Sequence, residues 1–242
     1  MKAMIFAAGL GTRLRPLTNN KPKALVEVNG IPLLEIALQK LIHHGFREVI
    51  INIHHFGQQI IDFLEAKDHF GIHLEISDER DQLLDTGGGL KKAAWFLQDG
   101  PFLVYNADIL TNIDLAALYQ QQLGTDAIAT LAVRDRESSR KLLFDQNQTL
   151  CGWQNMKTGE QKISRYADVQ TPLSFSGIHV IHPNLFRYFP DQEVFSIIDV
   201  YLEAAQKEVI QAYRHDADIW LDVGKPEALE QGQKLWRDKS FR

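Results

Sequence analysis

Strand-length apolar runs alternate with segments of helical spacing through the first half of this sequence, and that rhythm narrows its possible topologies more than any other feature. The runs are AMIFAA at 3–8, EVIINI at 48–53, HLEIS at 73–77, FLVYNAD at 102–108 and AIATLAV at 127–133. Between them, Leu34, Ala37, Leu38, Leu41 and Ile42 make one apolar stripe, with Gly45 placed as a helix stop. Phe56, Ile60, Ile61 and Leu64 make a second stripe, and Leu90, Ala93, Ala94 and Leu97 a third. Alternation of this kind predicts βαβ units and a largely parallel sheet.

After about residue 134 the rhythm changes. KLLFDQNQTLCGWQN (141–155) reads as a hairpin, QNMKTGEQKISRYADVQTP (154–172) as a polar and mobile loop, and LSFSGIHVI (173–181) as a strand. IWLDVGKPEALEQGQKLW (219–236) reads as a strand, a tight turn and a helix with Pro226 in its first turn. No Ser/Pro/Gly-rich linker, repeat or low-complexity tract divides the chain, so the expectation is one mixed α/β domain over 1–242.

Composition removes several classes of function. The net charge of −5 provides no basic footprint for nucleic acid. The longest apolar runs, such as PLLEIAL, fall far short of the ~20 residues a membrane helix needs. MKAMIFAAGLG imitates a signal peptide but ends in a glycine turn instead of a cleavage site, and reads as a first strand. The single cysteine, Cys151, rules out an internal disulfide and a Cys-rich metal site, which suits a reducing cytoplasm, and it reads as a packing residue. The adjacent pairs His43/His44 and His54/His55 look like metal ligands, but neighbouring side chains diverge on a helix or strand. Trp95, Trp153, Trp220 and Trp236 read as packing residues, with Trp220 close to Asp222 in sequence.

A glycine turn, AAGLGTRL at 7–14, follows the first strand. Gly9 and Gly11 match the start of a dinucleotide fingerprint, but Leu14 occupies its third glycine position, and Gly-Lys-Ser/Thr occurs nowhere. What remains is a turn whose free amides approach a polyphosphate, with Arg13, Arg15, Lys21 and Lys23 to neutralise it. Asp108 and Asp222 each end a strand, where open α/β sheets place their ligand crevice. They lie 114 positions apart, so only the fold brings them together. Hard oxygen donors of this kind suit Mg²⁺.

AAGLGTRLRPLT followed by KPKALVEVNGIPLLE resembles the opening of the sugar-nucleotide pyrophosphorylases, enzymes that join a nucleoside triphosphate to a sugar 1-phosphate. The resemblance continues through LLDTGGGLKKA (83–93), FLVYNADIL (102–110), FSGIHVIHP (175–183) and WLDVGKPE (220–227). Within the family, DTGGG and FSGI in so short a chain look most like the bacterial N-acetylmuramate-1-phosphate uridylyltransferases.

The resemblance implies one Rossmann-like nucleotidyltransferase domain with a mixed, mostly parallel sheet flanked by helices and an antiparallel sugar-binding insertion. Residues 1–134 would form its nucleotide-binding half and 135–242 its sugar-phosphate-binding half. It implies Mg²⁺ on Asp108 and Asp222, and Arg13 and Lys23 on the triphosphate. Ala8, Gly9, Gly11, Thr12, Gln82 and Gly88 would complete the nucleotide site, with Gly88 and the Ala8/Gly9 backbone on the base and Gln82 at its edge. Gly177 would lie near the sugar.

The E-K-P-like motif by which many relatives grip the sugar phosphate is missing, and Arg140, Lys141, Lys162 and Arg165 are candidate replacements. The activity implied is Mg²⁺-dependent transfer from UTP to N-acetylmuramate 1-phosphate, in cytoplasmic cell-wall recycling. GTP with mannose 1-phosphate, CTP with phosphocholine, and a catalytically inactive regulatory relative stay open. Neither nucleic acid nor membrane is expected as a partner, and oligomeric state is not written in the chain.

Overall fold

The computed structural model describes residues 1–237, with side chains to 235; the side chain of Trp236 lies outside them. In chain order the elements begin with strands β1 (Lys2–Phe6), β2 (Glu27–Val28) and β3 (Ile31–Pro32), helix α1 (Leu33–His43), β4 (Glu48–Ile53), α2 (Gly57–Ala66) and β5 (His73–Asp78). Then come α3 (Asp85–Lys92), α4 (Ala94–Leu97), β6 (Phe102–Asn106), β7 (Ile109–Thr111), α5 (Leu115–Leu123) and β8 (Ala129–Arg134). The rest is β9 (Arg140–Phe144), β10 (Leu150–Asn155), β11 (Gln161–Ile163), β12 (Thr171–Ile181), α6 (Ile197–Ala204), β13 (Ile210–Arg214), β14 (Trp220–Asp222) and α7 (Pro226–Arg237).

The chain forms two compact units. One holds residues 1–83, 104–115 and 218 onward, the other residues 84–103 and 116–217. It therefore passes between them four times, whereas the expected division at residue 134 would be crossed once.

In the first unit β1 pairs in parallel with β4, and β4 with β5, with β6 next to β1. Ala3, Met4, Ile5, Val49, Ile50 and Ile51 are wholly buried, the near-continuous apolar run of a parallel strand covered on both faces. Helix α1 buries Leu33, Leu34, Ile36, Ala37, Leu38 and Leu41 and stops at Gly45, whose φ of 86° places it in the left-handed region. β14 pairs antiparallel with β7. Beneath that pair Leu14, Val26, Val28, Leu33, Ile36, Leu110, Val223 and Leu229 form one apolar cluster.

The second unit is mostly antiparallel: β10 lies between β11 and β9, β12 between β9 and β8, and β13 joins β8 in parallel. The 141–155 segment forms the expected hairpin. The 154–172 stretch read as a loop instead contributes β11, because Gly152 on β10 lets the Lys162 backbone close in. A Cβ at Gly152 would stand 2.6 Å from the Lys162 carbonyl oxygen. The glycines of LLDTGGG act likewise: Gly87 and Gly88 donate their amides to the Phe195 carbonyl, and a Cβ on Gly88 would meet the Glu193 oxygen at 2.0 Å. Cys151 is buried, donates to the Leu143 carbonyl at 3.2 Å and has its thiol pushed up to about 11 by burial, as befits a packing residue. Trp95 departs from its expected packing role and stands 60% exposed, because the single-turn α4 buries Phe96 and Leu97 instead. Among the described residues no helix is long and apolar enough to cross a membrane.

Two buried histidines in this unit are held neutral. Burial pushes His179 down to about 3, and burial with the charges of Arg134 and Arg136 pushes His215 down to about 4. Below pH 6.5 the unfolded chain protonates both rings while the folded chain does not. Each ring then costs stability as pH falls toward its folded value, with a limiting slope of about 1.4 kcal/mol per pH unit. Urea denaturation between pH 7 and pH 4.5 tests this: the stability difference between wild type and His179→Gln should narrow as the pH falls. A difference that stays constant would contradict it.

Candidate active site

The glycine turn is shaped from beneath. Ala7, just past β1, donates its amide to Asn52 Oδ1 at 2.7 Å, and Asn52 Nδ2 donates to the wholly buried Glu79 at 2.8 Å. Sequence reasoning missed this network, since a polar residue inside EVIINI gives no sign of its partner. Gly11 has a φ of 64°, and a Cβ there would lie 2.9 Å from Thr18 Cγ2 and 3.1 Å from Lys23 Cβ. The Thr18 hydroxyl donates to the Gly11 carbonyl at 2.8 Å. Gly9 faces open space, Leu14 is anchored in the apolar cluster, and Thr12 and Arg13 are exposed.

Asp108 sits in the tight connection between β6 and β7, and Asp222 is the last residue of β14. Antiparallel pairing sets Asp222 opposite Ile109, and Val223 donates its amide to the Asp108 carbonyl at 2.9 Å. Residues 114 positions apart in sequence thus become cross-strand neighbours. Asp222 Oδ1 also accepts the Gly224 amide at 2.8 Å, which aims the carboxylate back over the turn.

Lys23 and Asp108 form an ion pair with side-chain exposures of 13% and 22%. Gly224 marks where the charged tips gather. A Cβ built on it would lie 2.7 Å from Asp222 Oδ1, 2.9 Å from Arg13 Nη2 and 2.9 Å from Lys23 Nζ. Three tips within 3 Å of one point cannot be more than twice that distance apart, and the fourth, Asp108, is bonded to Lys23. The structure therefore brings together Arg13, Lys23, Asp108 and Asp222. The sequence motif around Gly224 was visible, but its role as the space in which the charges meet was not.

Among the described residues no group of three or more His, Cys, Asp or Glu gathers into a metal centre. The donor set at Asp108 and Asp222 is nevertheless the one Mg²⁺ accepts, since that ion takes one or two carboxylates and completes its shell with water and phosphate oxygens. The histidine pairs serve other ends. The His54 ring bonds the Glu79 carbonyl at 2.6 Å, and the His55 ring packs on Phe56. His43 and His44 line a cavity of about 650 Å³ with Lys40 and Asp114. Desolvation holds Lys40 down to about 8 despite the neighbouring carboxylates.

The remaining expected residues divide. Ala8 is buried, and Gln82 is exposed with its amide on the Glu79 carbonyl at 3.1 Å. Gly88 lies in the second unit with its amide already bonded to Phe195. Arg140 is exposed at the start of β9. Lys141 pairs with Asp135 at 3.2 Å, and Lys162 pairs with Asp199 at 3.1 Å. Arg165 donates to the carbonyls of Ala205 and Glu208 at 2.7 Å each, capping the end of α6. Gly177 has a φ of 72° in the irregular stretch of β12 between Phe175 and His179.

Comparison with known proteins gives the family. The family described as nucleotidyl transferase matches residues 2–142. The N-acetylmuramate alpha-1-phosphate uridylyltransferase of Caulobacter vibrioides is 33% identical over 93% of this chain and 93% of its own. Its namesake from Neisseria meningitidis serogroup B is 31% identical, covering 97% of this chain and 98% of its own. A UDP-glucose pyrophosphorylase from Acinetobacter baumanii superposes with a TM-score of 0.78 at 18% identity, over 96% of this chain and 91% of that one. With more than half its length inside the family's match, the chain belongs to the nucleotidyl transferase family.

Proposed function

We propose that this protein is a sugar-1-phosphate nucleotidyltransferase that condenses UTP with N-acetylmuramate 1-phosphate, giving a UDP-sugar and pyrophosphate, in the cytoplasmic recycling of cell-wall sugars. The observation that carries the reading is the meeting of Arg13, Lys23, Asp108 and Asp222 around Gly224. The likeness to two uridylyltransferases over nearly the whole chain supports the choice of substrates.

In this reaction an oxygen of the sugar phosphate attacks the α-phosphorus of the triphosphate. A new P–O bond forms, the bond to the β-phosphate oxygen breaks, and pyrophosphate leaves with its electron pair. The attacking phosphate is already ionised near neutrality, so the protein supplies no general base. Its task is to align two anions that repel one another and to neutralise the charge that develops.

The exposed amides of the Gly9–Thr12 turn, beside Ala8, face the triphosphate, and Arg13 holds the leaving β- and γ-phosphates. Lys23 serves the α-phosphate. Its ion pair with Asp108 keeps the ammonium extended until a phosphate competes for it. Gln82, which is exposed, would meet the base edge. Asp108 and Asp222 would hold Mg²⁺, which when bound supplies positive charge against the phosphate oxygens.

A pyrophosphate-release screen of the four nucleoside triphosphates against a panel of sugar 1-phosphates, with and without Mg²⁺, tests the reading. UTP with N-acetylmuramate 1-phosphate should give the strongest signal and require the metal. Turnover only of GTP with mannose 1-phosphate, or CTP with phosphocholine, would replace the substrates and keep the class; turnover of no pair would leave the inactive regulatory relative. Lys23→Ala and Asp222→Asn should each lower kcat by roughly 10²- to 10³-fold, the range for losing one transition-state electrostatic contact, with unchanged circular dichroism. Gly224→Ala should lower kcat by about tenfold, some 1.4 kcal/mol, because its methyl occupies the point where the three charged tips meet. Near wild-type turnover in these variants would remove the mechanism.

A further inference from the structure

The carboxyl ends of β1, β4 and β5 lie side by side in the first unit, and one buried side chain spans all three. Asn52 on β4 stands in register with Phe6 of β1 on one side and Ser77 of β5 on the other. Its side chain reaches past both neighbours. The amide of Ala7, the first residue after β1, donates to Asn52 Oδ1 at 2.7 Å, and Asn52 Nδ2 donates to Glu79 Oε1, just beyond β5, at 2.8 Å. A backbone amide can only donate, so Ala7 settles which end of the Asn52 amide faces it and leaves Glu79 as the acceptor for the other. Asn52 is 3% exposed and Glu79 is wholly buried.

A buried acid costs free energy, and an apolar pair could fill the same space, but it would take away the acceptor of the Ala7 amide. What a satisfied buried network supplies is a single arrangement of the segments it joins. Here those segments are two turns. Ala7 leads into the glycine turn at 8–12. Glu79 carries the other: its amide donates to the Ile53 carbonyl at 2.8 Å, and its carbonyl accepts the Gln82 amide at 3.1 Å and His54 Nδ1 at 2.6 Å. The bridge through Asn52 thus fixes the start of one turn against the start of the other. Neither Asn52 nor Glu79 is among the charged tips that gather at Gly224.

We infer that Asn52 and Glu79 are positioning residues for the nucleotide, holding the glycine turn and the Gln82 turn at the separation at which triphosphate and base are gripped together. This rests on the proposed function, under which the triphosphate lies on the first turn and the base edge meets Gln82.

Exchange of donor and acceptor provides the test. Asn52→Asp keeps an acceptor for Ala7 but sets two acids face to face with no donor between them. Adding Glu79→Gln places an amide donor opposite the new carboxylate and rebuilds the bridge in reverse. In Asn52→Asp the KM for UTP should rise about tenfold, the scale of one buried hydrogen bond lost, while the KM for N-acetylmuramate 1-phosphate stays within about twofold. The preference for UTP over CTP, read as a ratio of kcat/KM values, should fall with it, and the double variant should recover most of both losses. A mere loss of folded protein lowers apparent kcat and leaves both KM values in place, so the split separates positioning from stability. If Asn52→Asp does not fold, Asn52→Ser, which drops both bonds without adding a charge, should give the same split. An unchanged KM for UTP in the folded variant, or a double variant no better than Asn52→Asp, overturns the inference.

Amide NMR decides the matter even if the wild type turns over no sugar phosphate, a result that would remove only the proposed reaction. Titrated UTP should shift the Ala7 and Gln82 signals of the wild type together, and Asn52→Asp should need about tenfold more UTP for the same shift. UTP that moves neither signal, or moves them at the same concentration in both proteins, overturns the inference.

Discussion

The pairing of β14 with β7 is the contact on which the candidate site depends. One backbone hydrogen bond, from the Val223 amide to the Asp108 carbonyl, sets two acids from distant parts of the chain side by side. Its geometry is sustained from below by the apolar cluster, to which the glycine turn contributes Leu14, β7 contributes Leu110, the turn after β14 contributes Val223 and α7 contributes Leu229. Burying these side chains removes from water the apolar surface of every segment that carries a charged tip, so the hydrophobic effect positions the electrostatics.

Electrostatic balance then decides how the tips are arranged. Two carboxylates held close together repel, and each costs free energy as it is drawn from solvent unless an opposite charge comes with it. Lys23 meets that need for Asp108, and the Gly224 amide does so for Asp222. Gly224 bears no side chain because the space a methyl would fill is where an oxygen and two nitrogens converge. A site built this way stays charge-compensated without ligands.

Much of this was legible in the sequence, for identifiable reasons. EVIINI reads as a buried parallel strand because its apolar run is continuous, and the structure places the strand on the same six residues. The glycine turn and the two strand-end aspartates were visible because their chemistry is local: small residues, cations and hard oxygen donors at recognisable positions. The glycines of LLDTGGG gave no sign of their partner, since a sequence does not reveal that the Phe195 carbonyl takes the amides of Gly87 and Gly88. Gly152 was equally silent about the approach of Lys162 that turns an expected loop into β11. Asn52 and Glu79 escaped notice because their bridge requires β1, β4 and β5 to lie side by side, a non-local fact.

The fourfold passage of the chain between its units bears on how the protein is made. The first unit draws on residues 1–83, 104–115 and 218 onward, so its sheet can begin to form early in synthesis while β7 still lacks its partner. Until the segment carrying β14 leaves the ribosome, Leu110 has no Val223 to pack against and Asp108 no neighbouring acid. Closure over so long a loop is slow relative to local folding. The candidate site therefore assembles only once β14 has emerged to pair with β7.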